Sequence, residues 1–129
     1  RFDAWFAQRG VAYVEVPIER TGLNPLADMK TLRVFVRLMR AVKPDLLFAY
    51  MIKPVIYGLI AAKLAGVKRR TAMITGLGYA FTDSPLESGA QAWRRKAVFV
   101  AARSAYALAL RFADTVIFQN PDDRVTLRD

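Results

Sequence analysis

The sequence predicts an α/β fold, a parallel sheet with helices packed on it as a three-layer sandwich. Short apolar runs alternate with longer segments of helical periodicity along the whole chain, the pattern of strand–helix–strand units with buried strands. Helix-stopping signals at Gly10, Pro44-Asp45 and Gly66 fall just before those apolar runs. At 129 residues the chain is long enough for one domain around one hydrophobic core.

Each element follows from local pattern. Residues 1–10 read as the last turns of a helix, with Phe2, Trp5 and Phe6 on one face and Gly10 as its cap. Val11 to Ile18 alternates well enough to predict a first strand. A polar loop with Gly22 and Asn24 leads to a helix over Pro25 to Lys43. Its apolar stripe is Leu32, Phe35, Met39 and Val42, and its basic stripe is Lys30, Arg33, Arg37 and Arg40. Leu46 to Tyr50 is a second strand. Pro54 opens a helix that runs to Ala65, apolar nearly all round and so predicted to be buried. Arg69 to Thr75 gives a third strand, and Gly76 to Gly89 a long loop rich in Gly, Ser and Pro. Gln91 to Phe112 is a long helix and Asp114 to Gln119 a fourth strand. Asn120-Pro121-Asp122-Asp123 starts another helix, with Asn as N-cap and Pro at the first helical position. The alternation is Rossmann-like, in one domain over residues 1–129. The chain opens inside one helix and stops at the start of another, which reads as a piece of a larger protein.

Composition narrows the chemistry. Twenty Lys and Arg against eleven Asp and Glu give a net charge of +9, which favours anionic partners such as phosphates, acidic lipids or nucleic acid. There is no cysteine, so neither a disulfide framework nor thiolate chemistry is available. There is no histidine, the commonest general base and zinc ligand. No signal peptide is visible. The longest apolar stretch, Ala97 to Leu110, is interrupted by Arg103 and too short to span a bilayer. No nucleic-acid-binding module is recognisable, and none is expected as a partner.

Three loops follow strand ends and, in a parallel sheet, fall on one edge, where α/β folds bind ligands. They are Lys53-Pro54, Gly76-Leu77-Gly78-Tyr79 and Asn120-Pro121-Asp122-Asp123. Gly76-x-Gly78 suggests a dinucleotide fingerprint, but Phe81 takes the third glycine position and Thr82-Asp83-Ser84-Pro85 follows instead of a helix. An ordinary strand-to-loop turn remains the alternative. Lys53 beside a helix N-terminus could hold an anion, or could be a solvated lysine. Gln119 to Asp123 is foremost a helix cap. On the long helix, Lys96, Arg103 and Arg111 lie along one stripe beside Phe99, Val100 and Leu110. Basic residues at the margin of an apolar surface suit the interface of an anionic membrane, and a helix buried against another domain is the alternative. Asp83 and Glu87 share a loop but form no carboxylate pair of the hydrolase kind.

Taken together, Pro44 to Pro54, Gly58 to Gly66, Ile74 to Phe81 and Ala113 to Asp123 resemble the N-terminal domain of bacterial family 4 glycosyltransferases of GT-B fold. The likeness is to members that build lipopolysaccharide O-antigen and capsule, and it covers about two thirds of the chain. It implies a retaining, metal-independent transfer of a sugar from a nucleotide-sugar to an acceptor. The acceptor in such enzymes is often a polyprenyl-diphosphate-linked saccharide at the cytoplasmic face of the inner membrane. The N-terminal domain mainly holds the acceptor, and a C-terminal domain with paired glutamates mainly holds the donor.

Carried onto this sequence, the resemblance implies that Gly76, Leu77, Gly78 and Tyr79 line the cleft. Lys53 sits at the neighbouring loop, and Gln119, Asn120 and Asp122 at the next. The basic stripes themselves put Lys30, Arg33, Arg37 and Arg40 on one helix, and Lys96, Phe99 and Arg103 on the other, toward an anionic membrane surface. The resemblance also implies a first strand before Arg1, a donor domain after Asp129 and no turnover by these 129 residues alone. Many relatives carry a histidine after one of the strands, where this chain has Tyr50-Met51 or Thr75-Gly76. A non-catalytic membrane- or partner-binding module and another nucleotide-sugar enzyme stay open as alternatives.

Overall fold

A computed structural model of the protein describes residues 2–19, 24–75, 90–121 and 124. In chain order the elements are α1 (Phe2–Ala7), α2 (Pro25–Val42), β1 (Leu46–Tyr50), α3 (Ile52–Ala65), β2 (Arg69–Ile74), α4 (Ala90–Leu110) and β3 (Thr115–Phe118). The strands form one parallel sheet in the order β1-β2-β3, with Tyr50 opposite Met73 and Ile74 opposite Phe118. The predicted α/β, Rossmann-like alternation is therefore present.

The helix ends obey the signals read from the sequence. Gly10 adopts φ 69°, its N–H donates to the Ala7 carbonyl, and the Val11 N–H reaches back to the Phe6 carbonyl at 3.0 Å. Gly66, at φ 77°, closes α3 in the same way through Val67 N–H to the Ala62 carbonyl. In both, glycine takes the left-handed conformation at no steric cost and satisfies carbonyls that the helix leaves free. α2 starts with Pro25 at its first position and the Asn24 side chain accepting from the Ala27 N–H. It ends on Lys43, which occupies the left-handed region without being glycine, ahead of Pro44.

Val11 to Ile18 departs from prediction: residues 11–19 form no strand. Alternation marks a segment that could be half-buried, but a strand exists only where a neighbour completes its hydrogen-bond ladder. Here Val11, Tyr13 and Val14 are exposed. The segment is held locally instead. The Tyr13 ring stacks on Phe6, with centroids 5.4 Å apart, and the Thr31 hydroxyl donates to the Pro17 carbonyl at 2.8 Å. The sheet consequently has three strands where four were expected, and β1 is an edge strand among the described residues.

The core lies between the sheet and its helices. Ala49, Ala72 and Ile74 of the strands pack against Val55, Ile56 and Leu59 of α3 and Tyr106 and Ala109 of α4. A second cluster joins α2 to α3 through Met39, Ala61, Ala62 and Val67, with Leu32, Phe35 and Val36 against it. The predicted α2 stripe thus packs at three of its four positions, while Val42, at the helix end, is exposed. α3 is the buried helix the sequence indicates and lies between α2 and α4. α3 and α4 cover the same face, which follows from right-handed crossovers between strands in sequential order, and α2 joins them there by packing on α3. The other face presents Leu46, Phe48, Tyr50 and Ile117 exposed. Two of the three predicted layers are therefore found among the described residues.

One polar clamp fixes β3 to β2. The Asp114 carboxylate accepts from the Arg70 backbone N–H at 2.8 Å and from its guanidinium at 3.0 Å. These two bonds, the guanidinium first, hold the Asp114 carboxyl below its usual range. The clamp is therefore fully formed at neutral pH and is lost as pH falls through that lowered value. The buried Nε of Arg70 has no acceptor among the described residues.

Candidate functional site

The carboxyl edge of the sheet brings three strand ends side by side. β1 ends at Tyr50 beside Met73, and the Gln119 N–H extends the β2–β3 pairing by donating to the Ile74 carbonyl at 3.0 Å. Met51, Thr75 and the pair Gln119-Asn120 therefore form a row, all exposed. The row is polar at one end and borders the first turn of α3, whose free N–H groups carry partial positive charge.

Met51 is a feature the sequence reading missed. It sits between β1 and α3 at φ 70°, ψ 152°, a conformation nearly confined to glycine. The tight strand-to-helix turn forces it, because α3 begins at Ile52, two residues earlier than the sequence predicts. Pro54 is tolerated at the third helical position because its missing N–H would have had no partner in the helix.

Lys53 is neither solvated nor free. Its ammonium lies 3.2 Å from the Asp28 carboxylate of α2, and both side chains are 14% exposed. Tyr57, one turn further along α3, faces the same carboxylate. Burial first, then a hydrogen bond with Asp28 and its negative charge, push the Tyr57 phenol up to about 12. The charge assigned to an anion is thus neutralised by an internal partner, and the cluster ties the first turns of α2 and α3 together beside the strand ends. One signal in the sequence could have pointed to this, the i, i+4 spacing of Lys53 and Tyr57 on one helical face. Asp28 reads in sequence only as an acid in a first helical turn.

The remaining assignments divide cleanly. Gln119 and Asn120 are exposed at the edge. Gly76, Leu77, Gly78, Tyr79 and Asp122 lie outside the described residues. Lys30, Arg33, Arg37 and Arg40 are all exposed on α2, on the side away from its buried Thr31 and Met39. Lys96 and Arg103 are exposed on α4, and the Phe99 side chain lies outside the described residues. α3 separates the two basic helices, so they are two patches and not one stripe. A shallow cavity of about 320 Å³ opens between the C-terminal ends of α2 and α3, lined in part by Arg40, Lys43, Asp45 and Lys68. It is on the amino edge of the strands, opposite the row of strand ends. Position in the fold favours the carboxyl edge as the site over this cavity.

A sequence profile of the family described as "Glycosyl transferase 4-like" matches residues 6–120, covering the sheet, its helices and all three strand ends. The chain belongs to the glycosyl transferase 4-like family. Among its relatives is the N,N'-diacetylbacillosaminyl-diphospho-undecaprenol alpha-1,3-N-acetylgalactosaminyltransferase of Campylobacter jejuni, 25% identical over 120 residues. That alignment takes in 93% of this chain and 30% of the relative, so the chain spans under a third of that enzyme's length. No helix among the described residues is long and apolar enough to cross a membrane.

Proposed function

We propose that this chain is the acceptor-side half of a retaining glycosyltransferase that moves a sugar from a nucleotide-sugar to a lipid-linked saccharide in bacterial surface-polysaccharide synthesis. The observation that carries the reading is the family match over residues 6–120, coupled to a relative whose name specifies a diphospho-undecaprenol-linked acceptor. The row of strand ends supports it, since a carboxyl edge of N–H groups and neutral polar side chains suits sugar hydroxyls and a diphosphate.

In the transfer, the bond from the anomeric carbon to the donor diphosphate breaks and the nucleoside diphosphate leaves with the electron pair. The acceptor hydroxyl oxygen forms the new glycosidic bond, and its proton passes to the departing diphosphate. Such a step depends on stabilising the departing diphosphate and the oxocarbenium-like centre, which is electrostatic work. Gly76, Leu77, Gly78 and Tyr79 line the acceptor side of the cleft, with Gln119, Asn120 and Asp122 beside them. Lys53 acts chiefly by holding the α2 and α3 first turns against that edge. The basic face of α2 (Lys30, Arg33, Arg37 and Arg40) and the Lys96–Arg103 side of α4 rest the domain on the anionic cytoplasmic face of the inner membrane. Donor binding belongs to a second domain.

The test is donor profiling of the intact protein with polyprenyl-diphosphate-linked saccharides. Release of nucleoside diphosphate that requires the acceptor, with the anomeric configuration kept in the product, is the expected result. No release with any donor and acceptor pair, or inversion, would overturn it. The 129-residue chain alone is expected to release none.

A further inference from the structure

α4 is more apolar than its place in the fold requires. Its inward face is Ala105, Tyr106, Ala109 and Leu110, packed into the core. Away from that face it carries Trp93, 76% exposed, with Val100 and Leu108 also exposed. Trp93 and Val100 are seven residues apart and so lie almost above one another on the helix. Lys96 and Arg103 repeat the same spacing three residues on, both exposed, which sets a basic margin along the apolar line. From Ala90 to Leu110 the helix has four cations, Arg94, Arg95, Lys96 and Arg103, and no acid. An exposed indole costs free energy in water, and nothing in the described fold covers it.

We infer that the Trp93–Val100 face of α4 inserts into an anionic lipid surface, with the Trp93 indole at the boundary of headgroups and acyl chains. Charge complementarity selects lipid over a protein partner. A tryptophan flanked by cations and free of acids matches a negatively charged interface, where the indole ring gains apolar surroundings while its N–H stays hydrated. This deepens the proposed membrane association, on which it rests, by separating two roles. The α2 stripe attracts through charge, whereas α4 enters the bilayer.

The chain has two tryptophans, so Trp5→Phe leaves Trp93 as the only indole reporter. With vesicles of equimolar phosphatidylcholine and phosphatidylglycerol, Trp93 emission should shift to the blue and be quenched by bromine carried on the acyl chains. Phosphatidylcholine vesicles should produce neither change. Trp93→Ala should lower binding about tenfold, and Lys96→Gln with Arg103→Gln about thirtyfold, near one decade and a half for two cations. Sedimentation of the unsubstituted chain with both vesicle types gives a reading that needs no variant. Absence of quenching, or equal sedimentation with both vesicle types, would overturn the inference. A blue shift that grows with protein concentration without vesicles would also overturn it, by assigning this face to a second copy. None of these readouts involves sugar transfer, so failure of the transferase assay and failure here are separately visible.

Discussion

Lys53 is where residue-level chemistry differs most from its appearance in sequence. At 14% exposure, it and Asp28 have given up most of their water and depend on each other. Lys53→Met should therefore cost about 2–3 kcal/mol of stability, because it strands a carboxylate with only the Tyr57 phenol to face it. Adding Asp28→Asn should recover a large part of that loss, and urea unfolding of the four members of the cycle measures the coupling. A cycle without coupling would mean that the pair is only a packing contact. Tyr57 supplies the pH dependence. Its folded value of about 12 lies above the ordinary 10.0, so it stabilises the fold fully below pH 10. That contribution disappears as pH rises from about 10 to 12. Tyr57→Phe should lose less stability than the parent across that alkaline range, and the late-titrating phenolate absorbance should vanish with it. Lys53 and Tyr57 share one face of α3, but Asp28 enters from another helix, and no local pattern carries that contact.

At the scale of elements, caps and stops were legible because each is a short-range steric event. Gly10 and Gly66 take left-handed conformations within one turn of their helices, and Asn24-Pro25 sets the α2 start within three residues. The failed strand at Val11–Ile18 has the opposite origin, since its alternation was real but pairing is a property of two segments. Gly58 gives an element-scale test. It is inside α3 with ordinary backbone geometry, and an added Cβ would meet Ala49 and Leu47 at 3.6 Å, normal contact distance. Gly58→Ala should therefore stabilise the protein by about 0.5–1 kcal/mol through reduced freedom of the unfolded chain, read as a raised thermal midpoint. A lowered midpoint would mean that α3 packs too closely on β1 to accept a methyl group. Met51 marks the reverse case, a side chain kept where glycine fits best. Local strain of this kind is concentrated at functional edges, and the strand-to-helix turn after β1 is one of the three that form the candidate site.

For the whole molecule, α3 is the keystone because both core clusters meet on it. Leu59, fully buried between sheet and α4, should cost about 3 kcal/mol when cut to alanine, measured by denaturant unfolding. A much smaller loss would show that the helical layer relaxes to fill the space. The same architecture leaves one sheet face with exposed Leu46, Phe48 and Tyr50, because sequential strands joined by right-handed crossovers send α3 and α4 to the other side, where α2 packs on α3. The sequence by itself determined the α/β class, the helix ends, the burial of α3 and the order of three strand-end loops, since periodicity and capping are written within a few residues. It also supplied the family resemblance, which lies in the order of those segments. Tertiary structure alone decided that Lys53 is paired with Asp28, that residues 11–19 stay outside the sheet, that the helices share one face and that Trp93 faces solvent. Each of these depends on which distant surfaces meet, and burial, pairing and charge neutralisation are set only when they do.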